Sequence, residues 1–316
     1  MSNMDMSSAE TVESTGMKTK KGEGGREKLN AYILSGSFTA VFTAYLAIQN
    51  LQSSLNQEAH LGIISLSAMY ACIILSGILA PAILSIIGEK KILVISFICH
   101  VIYTGTNFYP TFATLIPSSV LLGLTAGPMW TSQSVYLSDM AVSYAARHGH
   151  DGHATLSKFN GIFFSMYETT QVTGNLISSL VLQQGTYNES SSANETKLCG
   201  RLDCPLESNG TTTIEEPDVH VVYILLGVFL VCDVLGLLLA LCFLPPLEKK
   251  HQKFNVGRAV VACGKGLTDP NLAMLVPLIM FMAMEQAILW TDYTKVNVSP
   301  TTLTCAYIYA IRRLLF

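Results

Sequence analysis

Leu61–Ile87, LGIISLSAMYACIILSGILAPAILSII, runs for 27 residues without a charged side chain. A helix needs about 20 apolar residues to cross a bilayer core of about 30 Å, so this stretch reads as a membrane span. Outwards from it, six more apolar stretches follow the same rule. They lie at 29–48, 92–110, 112–138, 159–183, 219–244 and 272–290, set apart by polar segments. The expected fold is an all-α polytopic membrane protein: a six-helix amino-terminal bundle followed by a seventh helix.

The composition agrees with spans rather than a soluble core. The chain is 50% hydrophobic and only 13% charged, with a mean hydropathy of +0.42. A soluble domain carries about 25% charged residues. The net charge of −3 says less than its distribution. No basic cluster interleaves with aromatic residues, which argues against nucleic acid as a partner. Residues 1–28 are polar and are expected to form a disordered cytoplasmic tail. The first span is longer than the apolar core of a cleaved signal peptide, so it is expected to be retained.

Basic residues set the orientation. Fourteen of the 19 Lys and Arg fall on one face: Lys18, Lys20, Lys21, Arg26 and Lys28 before the first span, then Lys90, Lys91, Arg147 and Lys158 in two loops. Lys249, Lys250, Lys253, Arg258 and Lys265 complete that set, after span six. The other face has Lys197, Arg201, Lys295, Arg312 and Arg313. By the positive-inside rule the amino terminus is cytoplasmic. The expected organisation is a bundle over 29–244 with an external loop at 184–218, a cytoplasmic linker at 245–271, and the last helix with an external tail at 272–316.

The external loop supports that orientation independently. It holds three N-x-S/T sequons, at Asn188, Asn194 and Asn209. Sugar transfer needs a luminal surface loop, and these fall on the face assigned by charge alone. Asn194 and Asn209 are favoured over Asn188, which lies close to a helix end. Cys199 and Cys204 share the loop, where an oxidising lumen favours a disulfide. Closing so small a ring contributes roughly 2 kcal/mol in the chain-entropy model.

Lipid-facing helices need only apolar residues, so each polar departure is informative. Three carboxylates lie within spans: Glu168, Asp233 and Glu285. An ionisable group at membrane depth costs about 2.5–3.5 kcal/mol on insertion scales and ordinarily faces a cavity or a partner. Asp233 is nearly central in its span, so it is either protonated or turned to water or a polar neighbour. His100 is the basic residue best placed to meet it. Asn50, at the end of span one, and Gln171 and Asn175 on span five could line a cavity with Glu168. The competing reading is that such residues only join helices, at about 0.6 kcal/mol per hydrogen bond. Gly123 and Gly127 have the spacing of a close helix–helix contact, and Pro128 removes a backbone donor beside them. Pro81 and Pro277 are expected to bend spans two and seven. His148-Gly-His150-Asp151-Gly-His153 has the composition of a metal tract, but its glycines favour a solvated loop. No phosphate loop, nucleophile elbow or zinc motif occurs, so neither an enzyme nor a cofactor is expected.

The plan resembles the first half of a major facilitator superfamily protein plus the start of the second. That superfamily places a Gly-x-x-x-Asp-Arg-x-Gly-Arg-Lys-type motif in the 2–3 loop. Here Gly88 and Lys90 match its end, whereas Ser85 and Ile86 replace the acidic and basic pair of its gating network. More narrowly, the chain is similar to the uncoordinated-93 (Unc-93) family, in particular its homolog A branch. The residues that carry this are Leu51-Gln-Ser-Ser-Leu55, Leu115-Ile-Pro-Ser-Ser-Val-Leu-Leu-Gly-Leu124, Phe159-Asn-Gly-Ile-Phe-Phe164 and Gly174-Asn-Leu-Ile-Ser-Ser-Leu180, with Cys199 and Cys204. The likeness covers about 29–295 and fades from Val296. Members look twelve-helical, so an alternative or incomplete carboxyl end is expected.

The resemblance implies a non-enzymatic membrane protein that regulates a potassium channel or escorts membrane receptors. The leading expectation is therefore a regulatory subunit in the plasma membrane or an endomembrane, contacting a channel or receptor through its helices within the lipid bilayer. A solute or ion transporter using the buried carboxylates is the alternative. A seven-helix G-protein-coupled receptor fits poorly, because its amino terminus lies outside and span seven lacks an Asn-Pro-x-x-Tyr end.

Overall fold

The computed structural model describes residues 25–55, 61–186, 219–247 and 270–288, which form seven α-helices and no strand. These are α1 (Glu27–Leu55), α2 (Leu61–Ile87), α3 (Glu89–Thr106), α4 (Phe112–His148), α5 (Gly152–Thr186), α6 (Val219–Phe243) and α7 (Pro270–Ile288). The all-α architecture expected from the seven apolar stretches is the one found. α1, α2, α4 and α6 are each long and apolar enough to cross a membrane unaided. α3 is diluted by Glu89-Lys90-Lys91, and α5 by its Thr, Gln and Asn residues. The apolar part of α7, Ala273–Glu285, is shorter.

Several helices outrun the apolar stretches that revealed them. α4 continues from 138 to His148, and α5 begins at Gly152 rather than 159. The backbone ladder does not depend on hydropathy, so a helix extends until a cap stops it. At its start Thr111 and Thr114 form a capping box: the Thr111 hydroxyl accepts from the Thr114 N–H at 3.3 Å, and the Thr114 hydroxyl from the Thr111 N–H at 3.0 Å. At its end Gly149 adopts the left-handed conformation, φ 67°. Asp151 Oδ2 then accepts from the Ala154 N–H at 2.7 Å and opens α5. The His148–His153 tract is thus a helix-to-helix corner.

α1 is the axis of the bundle, with two thirds of its apolar window buried. It packs on α5 and α6 and touches α4, while α3 joins α4 to α6. The core around it is aromatic. The Phe38 ring lies 5.3 Å from Phe97, 5.7 Å from Trp130 and 5.2 Å from Phe163. Such pairs contribute about 0.5–1.5 kcal/mol each beyond their buried area.

α2 is held chiefly by α4, and glycine makes that contact possible. A Cβ on Gly123 would run into the Met69 carbonyl oxygen and stand 2.8 Å from Cys72 Cβ. One on Gly127 would lie 2.5 Å from the Gly77 nitrogen and 2.7 Å from Ser76 Oγ. Ser76 fills the space instead: its hydroxyl donates to the Gly123 carbonyl at 2.8 Å and accepts from the Gly127 N–H at 3.2 Å. Pro128 is buried beside this seam. Gly174 and Gly236 bring α5 and α6 equally close to the α1 backbone, at the Thr43 and Ser37 carbonyls.

Candidate functional site

Two polar regions stand out among the described residues, one inside the bundle and one on its surface. The inner one begins on α3, where Ser96, His100 and Thr104 follow one another at four-residue spacing and share a face. All three are buried. Asp233 of α6 meets that face and has no exposed surface: Thr104 Oγ1 donates to its Oδ2 at 2.6 Å, and its Oδ1 has no protein partner. His100 Nδ1 donates instead to the Ser96 carbonyl at 2.8 Å, and its ring lies 5.5 Å from Phe42 and 5.4 Å from Tyr45. Of the alternatives for Asp233, the polar neighbour is the one found, and it is Thr104 rather than the candidate His100. The one ion pair among the described residues joins Arg147 to Glu27 at 2.9 Å.

The inner region continues along α1. Tyr45 donates to Met69 Sδ at 3.4 Å, and the Gln49 amide donates to the Tyr70 hydroxyl. Gln52 is wholly buried with neither end of its amide partnered, as is the Tyr103 hydroxyl. Asn50, half-buried, links α1 to α5: its Nδ2 donates to Asn175 Oδ1 at 3.0 Å and to Gln171 Oε1 at 3.4 Å. The structure therefore brings Asn50, Gln171 and Asn175 together, at the rim of the α1–α5 contact.

Glu168 departs from expectation, because its side chain is exposed. α5 turns Phe159, Phe163, Thr170, Gly174 and Ser178 into the bundle, and Glu168 falls off that stripe. It shares the outer face with Ser165, Thr169 and Thr173. Thr169 and Thr173 satisfy their hydroxyls within the helix, on the carbonyls of Met166 and Thr169, each at 2.6 Å. Glu285 is also exposed, as is every described side chain of α7. Asn188, Asn194, Asn209, Cys199 and Cys204 lie outside the described residues.

The eroded loop motif is visible as structure. Ser85 donates to its own helix, at the Ala82 carbonyl, and Ile86 is exposed. Gly88 holds φ 91° and ψ 153° between α2 and α3, and Lys90 Nζ donates to the Leu241 carbonyl at the end of α6, 3.0 Å away. The basic end of the motif is thus a tie between helix ends. His148 and His150 stack on Tyr144, and no group of three metal-ligating side chains occurs among the described residues. The sequence reading singled out Asp233, His100 and the polar row at the end of span one that holds Gln52, but missed Thr104 and Tyr103. The regular spacing from Ser96 to Thr104 was the signal available for the first.

A family model described as "Ion channel regulatory protein UNC-93" matches residues 54–313. That match runs past Val296, where the sequence reading placed the end of the likeness. Protein unc-93 homolog A of Mus musculus is 35% identical over 290 residues, which is 89% of this chain and 62% of that protein. The Homo sapiens homolog A is 33% identical over 284 residues, covering 87% of this chain and 62% of the relative. A Caenorhabditis elegans protein named putative potassium channel regulatory protein unc-93 is 29% identical over 281 residues, 84% of this chain and 39% of its own length. The chain therefore spans about three fifths of the homolog A relatives it matches.

Proposed function

The chain belongs to the UNC-93 family of multi-pass membrane proteins, and on that premise we propose that it is a non-catalytic regulatory subunit of another membrane protein. The observation that carries the proposal is the family match over 54–313, with its description as an ion channel regulator. The partner it points to is a potassium channel, after the wording of the nematode relative's name. Geometry supports the reading from the side of the surface. A carboxylate and three hydroxyl residues face outwards from α5 at membrane depth. Leaving Glu168 against hydrocarbon costs about 2.5–3.5 kcal/mol, which contact with a polar partner helix recovers. The test is co-expression with a potassium channel, affinity capture in mild detergent, and current recording. Capture and an altered current are expected. No capture together with an unchanged current refutes the proposal.

The same reading sets the basic end of the bundle, with Lys28, Lys90, Lys91, Arg147 and Lys158, in the cytosol. It assigns sugars to Asn194 and Asn209 and a disulfide to Cys199 and Cys204, in an external loop. Glycosidase shifts on intact cells, lost in Asn194→Gln and Asn209→Gln variants, test this orientation. A transporter is the second reading, favoured by Asp233, whose Oδ1 is buried without a partner. Flux in vesicles that is lost on Asp233→Asn would establish it.

A further inference from the structure

At the basic end of the bundle, α1 and α5 enclose a cavity of about 110 Å³ lined by Lys28, Ala31, Tyr32, Lys158, Phe159 and Ile162. We infer that this cavity holds the phosphodiester headgroup of an anionic lipid from the adjoining leaflet. Its chemistry is divided by depth. Ala31 and Phe159 are buried and form an apolar floor with Ile162, while Lys28, Lys158 and Tyr32 form an exposed rim. Lysines from two different helices thus line one space. That space is far larger than the roughly 10–15 Å³ that admits a single water.

The neighbouring carboxylates form no ion pair with either lysine among the described residues. Glu27, the carboxylate beside Lys28, is engaged by Arg147 at 2.9 Å. Asp151, beyond Lys158, is bound to the Ala154 N–H that it caps. Lys28 is braced over the Tyr144 ring at 4.8 Å, a contact that fixes its position without neutralising it. Among the described residues, no carboxylate lines the cavity.

The apolar floor of Ala31, Phe159 and Ile162 lies beneath the basic rim, so the cavity suits an anion that carries an apolar tail better than a soluble phosphate. Basic pockets between helices at a cytoplasmic membrane face recognise lipid phosphates by this combination of charge and apolar wall.

The test titrates the purified full chain with phosphatidylglycerol, phosphatidylcholine or soluble glycerol phosphate and counts bound molecules by native mass spectrometry. One phosphatidylglycerol is expected to bind in preference to the other two. Each lysine contributes about fivefold, so Lys28→Gln with Lys158→Gln should weaken it about 30-fold. Lys28→Arg with Lys158→Arg should retain it, and Lys90→Gln with Lys91→Gln, equal in charge, should leave it unchanged. Equal loss in both glutamine pairs, or no preference over phosphatidylcholine, overturns the inference. Binding of glycerol phosphate as tightly as the lipid would make it a free-anion site and also overturns it. A measurement without mutation guards against misfolded variants. Hydrogen exchange at 28–32 and 158–162 should slow in nanodiscs of phosphatidylglycerol relative to phosphatidylcholine, and equal exchange counts against the site.

Discussion

Replacing Gly127 by alanine tests whether the α2–α4 seam holds the bundle together. The added methyl would lie 2.5 Å from the Gly77 nitrogen and 2.7 Å from the Ser76 backbone carbon, so backbone rather than a flexible side chain must yield. Overpacking of this kind costs about 1–3 kcal/mol. Moving α2 away also breaks the Ser76 bridge to Gly123 and Gly127, at about 0.6 kcal/mol for each hydrogen bond in a membrane. Alanine's better helix propensity returns about 1 kcal/mol. The net loss is about 1–3 kcal/mol. Gly161→Ala is the matched control: it gains the same propensity and meets nothing within 4 Å. Unfolding in detergent micelles, followed through Trp130 in the aromatic core, should move the two variants in opposite directions. Equal shifts of the same sign would show that close approach of α2 and α4 is not a condition of stability.

Thr104→Val keeps the shape of the side chain but removes the donor to Asp233. It should lower stability by about 1–3 kcal/mol in the same unfolding assay, the cost of an orphaned buried acceptor. Gly88 occupies a backbone region open to glycine alone, so Gly88→Ala should cost about 1–3 kcal/mol. Cysteine cross-linking between the α2–α3 turn and the end of α6 would report any loosening there. Glu27→Gln breaks the ion pair with Arg147, whose side chain is about a third exposed, and should cost less than about 1 kcal/mol. That loss should shrink further in high salt.

The fold was legible because lipid demands long apolar segments, and α2 begins and ends where its apolar run does. Helix ends were less legible. Hydropathy falls before α4 stops, and the cap at Gly149 is encoded by one residue rather than a pattern. Within the polar groups, the sequence pointed Asp233 to a polar neighbour and left Asn50, Gln171 and Asn175 between a cavity lining and a helix joint, because membrane depth alone makes such residues seek partners. It could not give azimuth. Glu168 and Thr170 lie two residues apart on α5, yet one is exposed and the other fully buried. Which of them faces α1 follows from the close approach at Gly174, a tertiary contact without a local signature.

That azimuth also separates the two functional readings. A regulator needs a polar group that an outside helix can reach, and a transporter needs one that the bundle encloses. Glu168 meets the first condition and Asp233 the second. Asparagine at 233 can still accept from Thr104 through its carbonyl oxygen, and it removes a buried carboxylate whose Oδ1 has no partner. In a regulator, Asp233→Asn should leave channel capture intact and stability unchanged or raised, whereas Glu168→Gln weakens capture. In a transporter the order reverses, with flux lost at 233. Glu168→Gln and Asp233→Asn measured for capture and flux in one preparation therefore discriminate between them. Capture that survives Glu168→Gln but fails on Asp233→Asn would refute the assignment of the α5 outer face to a partner.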